Sequence, residues 1–251
     1  MSGALAGIKV IEFGRFIAAP YCCQLLADAG ADVIKVEPII GDDARRNGEK
    51  YAESEAQQFL NKNRNKRSIA CDLSDATVVS AMMALIKKTD VLVANFRPGQ
   101  AEKLGLDYPS LKAINPNLIY AENSGFGPKG PLAATAGMDM ALQGFSGLAP
   151  LTVNGPMPLM DPVIDYSAAM LMAWGISTAL FHRERTGHGQ KLDVSLLQAS
   201  LVLQNNHINA VANHDERRQQ FIHYLKSAFA EGATWEDVLA QQSQSSSLGA
   251  T

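Results

Sequence analysis

The chain has 251 residues, of which 47% are hydrophobic and 19% charged, so it can bury a sizeable core as one large or two small domains. Its formal net charge of -3 gives no general reason to expect nucleic acid or an anionic membrane as a partner. The three cysteines do not form a disulfide framework or a metal site with histidine, and they predict a reducing, cytoplasmic setting. The first residues lack the basic region and long apolar run of a signal peptide.

The chain opens with a strand, a loop, a helix and a second strand. Residues 8–13 and 31–37 are β-branched runs typical of strands, and residues 21–31 predict a helix closed by Gly30. This order favours a parallel sheet in an α/β fold. The first loop, GRFIAAP, places Gly14 and Ala18 where a ligand can approach the backbone, although it is not a GxGxxG motif.

The middle of the chain continues this alternation. We predict helices at 52–60 and 76–88 and strands at 68–73 and 90–96, the last running into a turn at 97–99. A basic cluster lies between them, made of Lys62, Arg64, Lys66 and Arg67. It predicts either a phosphate site or a solvated basic loop. Because ligands gather beyond the carboxyl ends of parallel strands, we expect Arg15, Arg97 and this cluster to share one side.

The later segments complete the α/β pattern. We predict a helix at 108–114, a strand at 118–122, a helix at 138–144, a strand at 191–196, a helix at 196–211 and two helical pieces within 214–240. The segment GFGPKG matches GxGxxG, but its prolines argue against a helix starting within it. Residues 1–200 therefore form an α/β domain, 201–240 a helical segment and 241–251 a disordered polar tail.

The stretch from residue 158 to 180 changes from an extended polar segment into a long apolar helix. We interpret it as a buried core helix rather than a membrane span. Asp161 and Asp165 lie where the change occurs. Either of them caps the helix, or a poorly hydrated carboxylate, held ionised by the helix N-terminus, acts as a nucleophile toward an activated acyl group.

Several segments in order resemble the family III CoA-transferases, the group of formyl-CoA and carnitine CoA-transferases that also contains α-methylacyl-CoA racemase. The resemblance runs from about residue 7 to about residue 200, and it rests on the segments VIEFGRFIAAP, LLADAGADVIKVE, NKRSIACDL, DVLVANFRPG, NPNLIYAENSGFGPKGP, the stretch from Asp139, MDPVIDYSAAM and HRERTGHGQKLDVSLLQA. It implies a Rossmann-like domain, usually in an interlocked homodimer. It also implies acyl-CoA and a small carboxylic acid as substrates, with no metal or prosthetic group.

The resemblance assigns roles to particular residues. The family's nucleophilic aspartate falls on Asp165. The positions that contact CoA fall on Arg15, Ala18, Cys71, Asp72, Leu73, Ser74, Asn95, Phe96, Arg97, Lys103 and Met138. Ile17 and Pro38 stand where relatives place polar or basic groups, which leaves Arg45, Arg46 or the basic cluster to meet the CoA phosphates.

Three functions remain open from the sequence. The first is CoA transfer from an acyl-CoA to a carboxylic acid through an aspartyl-CoA thioester. The second is racemisation of a 2-methylacyl-CoA, but the racemase pattern has a histidine where this chain has Met138, and a thioether moves no proton. The third is a non-catalytic homologue, since the chain is shorter than the family and we expect it to lack the family's small domain.

Overall fold

The computed structural model describes residues 3–50, 55–152, 155–208, 215–238 and 240. Within them, six parallel strands form one sheet in the order β3-β2-β1-β4-β5-β8. Their bounds are β1 Lys9–Phe13, β2 Asp32–Glu37, β3 Lys66–Ala70, β4 Val91–Ala94, β5 Ile119–Ser124 and β8 Lys191–Ser195. Two short strands, β6 Leu151–Thr152 and β7 Gly155–Pro156, pair antiparallel outside the sheet. The predicted Rossmann-like α/β fold is therefore confirmed.

The direction of sheet growth reverses between β1 and β4. The chain first adds β2 and β3 on one side of β1 and then crosses over to place β4 on the other side. Phe13 at the end of β1 is level with Ala94 at the end of β4, so the two following loops meet at the same edge. Such a switch point is where open α/β sheets bind ligands.

The helices cover both faces of the sheet. Their bounds are α1 Ala18–Asp28, α2 Gln57–Asn63, α3 Ala76–Ile86, α4 Gln100–Leu104, α5 Tyr108–Ile114, α6 Asp139–Ser146, α7 Val163–Thr186, α8 Leu196–Leu203, α9 Asn205–Ile208 and α10 Asp215–Ala230. One buried cluster joins α1, α7 and α8 to β1, β4 and β5, and a second joins α3 and α5 to the opposite face. No helix begins within GFGPKG, as the prolines predicted.

Several predicted boundaries were wrong. Helix α1 begins three residues earlier than predicted, and β3 begins at Lys66 rather than at residue 68. The predicted helix at 196–211 breaks at Gln204, whose buried amide donates to the carbonyls of Ser146 (3.1 Å) and Ser200 (3.2 Å). Residues 52–54 of the helix predicted at 52–60, residues 209–211 of the helix predicted at 196–211 and the predicted tail at 241–251 lie outside the described residues.

Helix α7 buries one face only. Its seven buried residues follow helical spacing and pack on α1, α8, β5 and β8. The opposite face is exposed at Met170, Trp174 and Phe181. The helix is long and apolar enough to cross a membrane by length and composition, with 39% of its apolar window buried. The predicted buried core helix therefore packs one face against the core and leaves the other face exposed.

Candidate active site

Asp165 occupies the third position of α7, on the turn that faces the carboxyl edge of the sheet. Pro162 occupies the N-cap position of α7, and no side chain at that position accepts a hydrogen bond from the first turn. Asp161 lies exposed in the bend before the helix. Among the described residues, no group donates a hydrogen bond to the carboxylate of Asp165, which is half-buried. The capping hypothesis is therefore wrong for both aspartates.

The first turn of α7 is capped from another helix, by Asp139. This residue begins α6, is 6% exposed, and accepts the backbone N–H of Asp165 at 2.8 Å through Oδ2. Its Oδ1 accepts from the amide of Gln143 at 2.6 Å. Gln143 in turn accepts the N–H of Leu159 at 2.7 Å, which fixes the extended approach to α7. Helix α6 thus orients the segment that presents Asp165.

The surroundings raise the pKa of Asp165 to about 7. Burial is the main cause, the carboxylate of Asp139 adds to it, and the ammonium of Lys62 opposes both. We expected the helix N-terminus to hold Asp165 ionised, and the structure corrects this. Near neutral pH a large fraction of Asp165 is still carboxylate, poorly hydrated and without a hydrogen-bond donor of its own among the described residues. Such a group is a competent nucleophile.

Two aromatic rings and a cation lie beside Asp165. Tyr21 of α1 meets Tyr166 of α7 edge to face, with ring centroids 4.9 Å apart. The ammonium of Lys62, at the end of α2, lies 5.7 Å from the centroid of the Tyr166 ring. Helices α1, α2, α6 and α7 therefore all contribute to the surroundings of one carboxylate.

The loops after β1 and β4 bring together one group of the residues expected to contact CoA. The side chain of Asn95 accepts the N–H of Arg15 at 2.9 Å and donates to its carbonyl at 2.8 Å, so the two loops are clamped. Phe96 packs on Phe13 with ring centroids 5.7 Å apart. Arg97 is exposed beside them, and Ala18 is fully buried at the start of α1.

The remaining expected CoA residues are more scattered. Cys71 to Ser74 follow β3, and strands β2 and β1 lie between β3 and β4 in the sheet. Within this segment, Asp72 accepts hydrogen bonds from the N–H and the hydroxyl of Ser74. Lys103 is exposed on α4. Met138 precedes Asp139 and is 73% exposed.

The basic cluster does not lie together on one side. Arg64 and Arg67 pair with Asp28 and Asp32, which mark the end of α1 and the amino end of β2. The expected common side with Arg15 and Arg97 is therefore wrong for these two arginines. Lys62 and Lys66 point inward instead.

A buried ionic network beneath the first loop was not predicted. We call it the first-loop network, and its members, none with a side chain more than 2% exposed, are Glu12, Lys35, Asp42 and Lys66. Lys35 pairs with Glu12 (2.8 Å) and Asp42 (2.9 Å), and Lys66 pairs with Glu12 (2.7 Å). Lys35 also donates to the carbonyl of Gly14 at 2.7 Å. The sequence signal was Glu12 within the apolar strand IKVIEF and Lys35 within the apolar strand DVIKVE.

The fold and this site define an α/β protein with a half-buried carboxylate, Asp165, at the carboxyl edge of its sheet. A sequence profile described as CoA-transferase family III matches residues 5–230. The chain therefore belongs to CoA-transferase family III, as the resemblance implied.

Individual relatives agree with this assignment. The chain is 40% identical to the succinyl-CoA–L-malate CoA-transferase alpha subunit of Chloroflexus aurantiacus, over 78% of this chain and 47% of the relative. It is 41% identical to the succinate–glutarate CoA-transferase of Agrobacterium fabrum, over 82% and 54%. The crystal structure of a CAIB/BAIF family protein from Brucella suis matches with a TM-score of 0.78 and 39% identity, over 82% and 56%. The chain thus spans about half the length of the curated relatives it matches.

Proposed function

We propose that this protein transfers CoA from an acyl-CoA to a carboxylic acid, with Asp165 as the nucleophile. The observation that carries the proposal is the half-buried carboxylate of Asp165, which Asp139 orients through the backbone of α7. It lies at the carboxyl edge of the sheet, where the two clamped loops hold Arg15 and Arg97. Low hydration keeps a carboxylate reactive toward a thioester carbonyl.

The transfer proceeds by four acyl substitutions. A carboxylate oxygen of Asp165 attacks the thioester carbon, the C–S bond breaks, and CoA leaves as thiolate from a mixed anhydride. The thiolate attacks the aspartyl carbonyl, the anhydride C–O bond breaks, and the donor acid leaves as carboxylate. An acceptor carboxylate then displaces the thiolate from the aspartyl thioester, and the thiolate attacks the acceptor carbonyl to release the new acyl-CoA and Asp165. One negative charge is conserved throughout, and each step passes through an oxyanion.

We also propose that the acceptor is a short dicarboxylic acid. The names of the relatives support this class, since they include L-malate, glutarate and oxalate as acids. A panel of succinyl-CoA and acetyl-CoA against mono- and dicarboxylic acids tests it. Equal turnover of monocarboxylic acids would reject the dicarboxylate preference while keeping the transferase.

Asp165→Asn and Asp161→Asn test the nucleophile as a matched pair. With an acyl-CoA and hydroxylamine trapping followed by peptide mass spectrometry, we expect wild type and Asp161→Asn to form the adduct on Asp165. Asp165→Asn should abolish it while keeping CoA affinity within about tenfold, or ~1.4 kcal/mol. Equal loss in both variants, or greater loss in Asp161→Asn, contradicts the assignment. Deuterium incorporation at the α-carbon of a branched acyl-CoA would instead favour the racemase.

We further propose that the protein is a cytoplasmic homodimer. The exposed apolar face of α7, with Trp174 at 70% and Phe181 at 63% exposure, supports a covered surface in the assembly. Light scattering on the purified chain should give twice the mass of one chain, and Trp174→Glu should lower it. A monomeric wild type with transferase activity would exclude the dimer.

A further inference from the structure

Lys62 is a buried cation that the proposed mechanism does not use. The residue is 4% exposed, and in the part of the chain that the structure describes its ammonium donates only to the carbonyl of Gln58, at 3.2 Å. The ammonium of Lys66, at the start of β3, has four acceptors within 2.9 Å, on Glu12, Pro20, Lys62 and Asn63. An ammonium carries three donors, so Lys62 keeps donor capacity in a place that water hardly reaches.

The position of Lys62 relates it to Asp165. Its ammonium lies 5.7 Å from the ring of Tyr166, the residue that follows Asp165. The charged groups that act on this carboxylate are Asp139 from α6 and Lys62 from α2. Asp165 acts in turn on Tyr166, together with Tyr21 of α1 and Asp161. Lys62 is the cation in this set. Burial lowers the pKa of Lys62, and the charge of Asp165 raises it in turn.

We propose that Lys62 is a charge-positioning residue for Asp165, keeping the carboxylate ionised before attack and balancing the negative charge as it moves to thiolate or substrate carboxylate. The inference rests on the CoA transfer proposed above. Without a cation, the carboxylate of Asp139, that of Asp165 and an incoming acid would place several like charges in one poorly hydrated pocket. A fixed cation remains useful at each step, since the site carries one reacting negative charge throughout.

Neutral variants of Lys62 test the pairing without requiring turnover. Lys62→Gln keeps a donor for Gln58 without the charge, Lys62→Met removes both, and Lys62→Arg keeps the charge. Lys112→Met is the matched control, because the ammonium of Lys112 lies 5.6 Å from the Tyr108 ring on an exposed helix surface. The pKa of Asp165 is read from ¹³C carboxyl NMR of aspartate-labelled protein, with Asp165→Asn as the assignment standard, and the rate of adduct formation is measured over a pH series.

An opposing charge typically lowers a carboxyl pKa by about 1–3 units, so both neutral variants should raise the pKa of Asp165 and slow its acylation at neutral pH about tenfold or more. Higher pH should recover the rate, which a loss of folding would not allow. Lys62→Arg should retain most of the rate, and Lys112→Met should match wild type. If Asp165 has the same pKa in both neutral variants as in wild type, the inference is wrong. If wild type forms no adduct but the titration still shifts, the CoA transfer is wrong and the pairing stands.

Discussion

Two groups of buried charge among the described residues are built differently. The first-loop network has two acidic and two basic side chains, and each is paired with an opposite charge. The site around Asp165 has two acidic side chains and one basic one. In the network, burial opposes ionisation of Glu12, but Lys35 and Lys66 outweigh it and lower the pKa of that carboxyl. At the site, burial and Asp139 outweigh Lys62 and raise the pKa of Asp165.

The difference separates a structural use of charge from a chemical one. A balanced buried network fixes geometry. Here Lys35 holds the loop after β1 through the carbonyl of Gly14, and Lys66 holds the first turn of α1 through the carbonyl of Pro20. An unbalanced group leaves one carboxylate poorly stabilised and therefore reactive. The two places are adjacent along the chain, because Lys62 near the end of α2 and Lys66 at the start of β3 are four residues apart.

Breaking the network should have the largest effect on stability. Glu12→Ala leaves the ammoniums of Lys35 and Lys66 without a shared partner, and loss of one member of a buried ion pair costs about 3–5 kcal/mol of unfolding free energy. Urea unfolding followed by circular dichroism measures it. The double variant Glu12→Met with Lys66→Met should recover part of the loss. A loss below about 1 kcal/mol in Glu12→Ala would mean that the network is not a structural element.

The site should show the opposite pH dependence from the network. The pKa of Asp165 is about 7 in the folded protein against about 3.9 in an unfolded chain, so the folded state binds more protons between these values. The contribution of Asp165 to the free energy of unfolding is fully present below about pH 4 and is lost as pH rises through about 7. Asp165→Asn removes this loss, and we expect it to be more stable than wild type by about 2–4 kcal/mol at mildly alkaline pH and nearly equal in acid.

Glu37 provides the control for this pH dependence, because its effect falls on the acid side of the curve of stability against pH. Burial alone would raise the pKa of Glu37. Hydrogen bonds from Arg45, Ser68 and the backbone N–H of Asp42 outweigh burial and lower this pKa to about 2. Its stabilisation is present above about pH 4.5 and is lost as pH falls toward 2. Glu37→Gln should therefore flatten the acid side of the stability curve and leave the alkaline side unchanged. If Asp165→Asn flattens the acid side instead, the sign of the Asp165 shift is wrong.

Removing Asp139 should have an intermediate effect on stability and a clear one on the site. Asp139→Ala leaves the buried N–H of Asp165 and the amide of Gln143 without this acceptor, at a cost of about 1–3 kcal/mol. It also removes a like charge, so the pKa of Asp165 should fall below about 7. Urea unfolding and the carboxyl titration measure the two effects. Asp161→Ala, at an exposed residue, is the control and should change stability by less than about 0.5 kcal/mol.

What the sequence predicted here depended on whether the signal was local. The strands of the sheet were predicted because β-branched runs are local. The family segments selected Asp165 as the candidate nucleophile, and that role stays a prediction. Helix α4 was missed because it is five residues long between Gly99 and Gly105, both in the left-handed region, and a turn was the simpler interpretation. The bond between Asp139 and Asp165 spans 26 residues of chain and has no local signal.

The basic cluster shows the limit most clearly. Its four cations are alike in composition, and the sequence offered the same two alternatives for all of them, a phosphate site or a solvated basic loop. The structure assigns them three environments: Lys66 in a balanced network, Lys62 facing Asp165, and Arg64 and Arg67 in surface pairs. Burial decides among these, and burial is a property of the packed fold rather than of six consecutive residues.

The smallest effect is expected at the surface end of that cluster. Arg67 pairs with Asp32 across adjacent strands, with side chains 66% and 49% exposed, so Arg67→Ala should cost only about 0–1 kcal/mol, and less at high salt. Because Arg67 is near the amino end of β3 and Arg15 follows the carboxyl end of β1, CoA affinity should change less than about threefold. Calorimetric titration with CoA, with Arg15→Ala beside it, measures this. A tenfold loss in Arg67→Ala with a weaker salt dependence of binding would return the cluster to the phosphate interpretation, since a lost phosphate contact lowers affinity and reduces its sensitivity to salt.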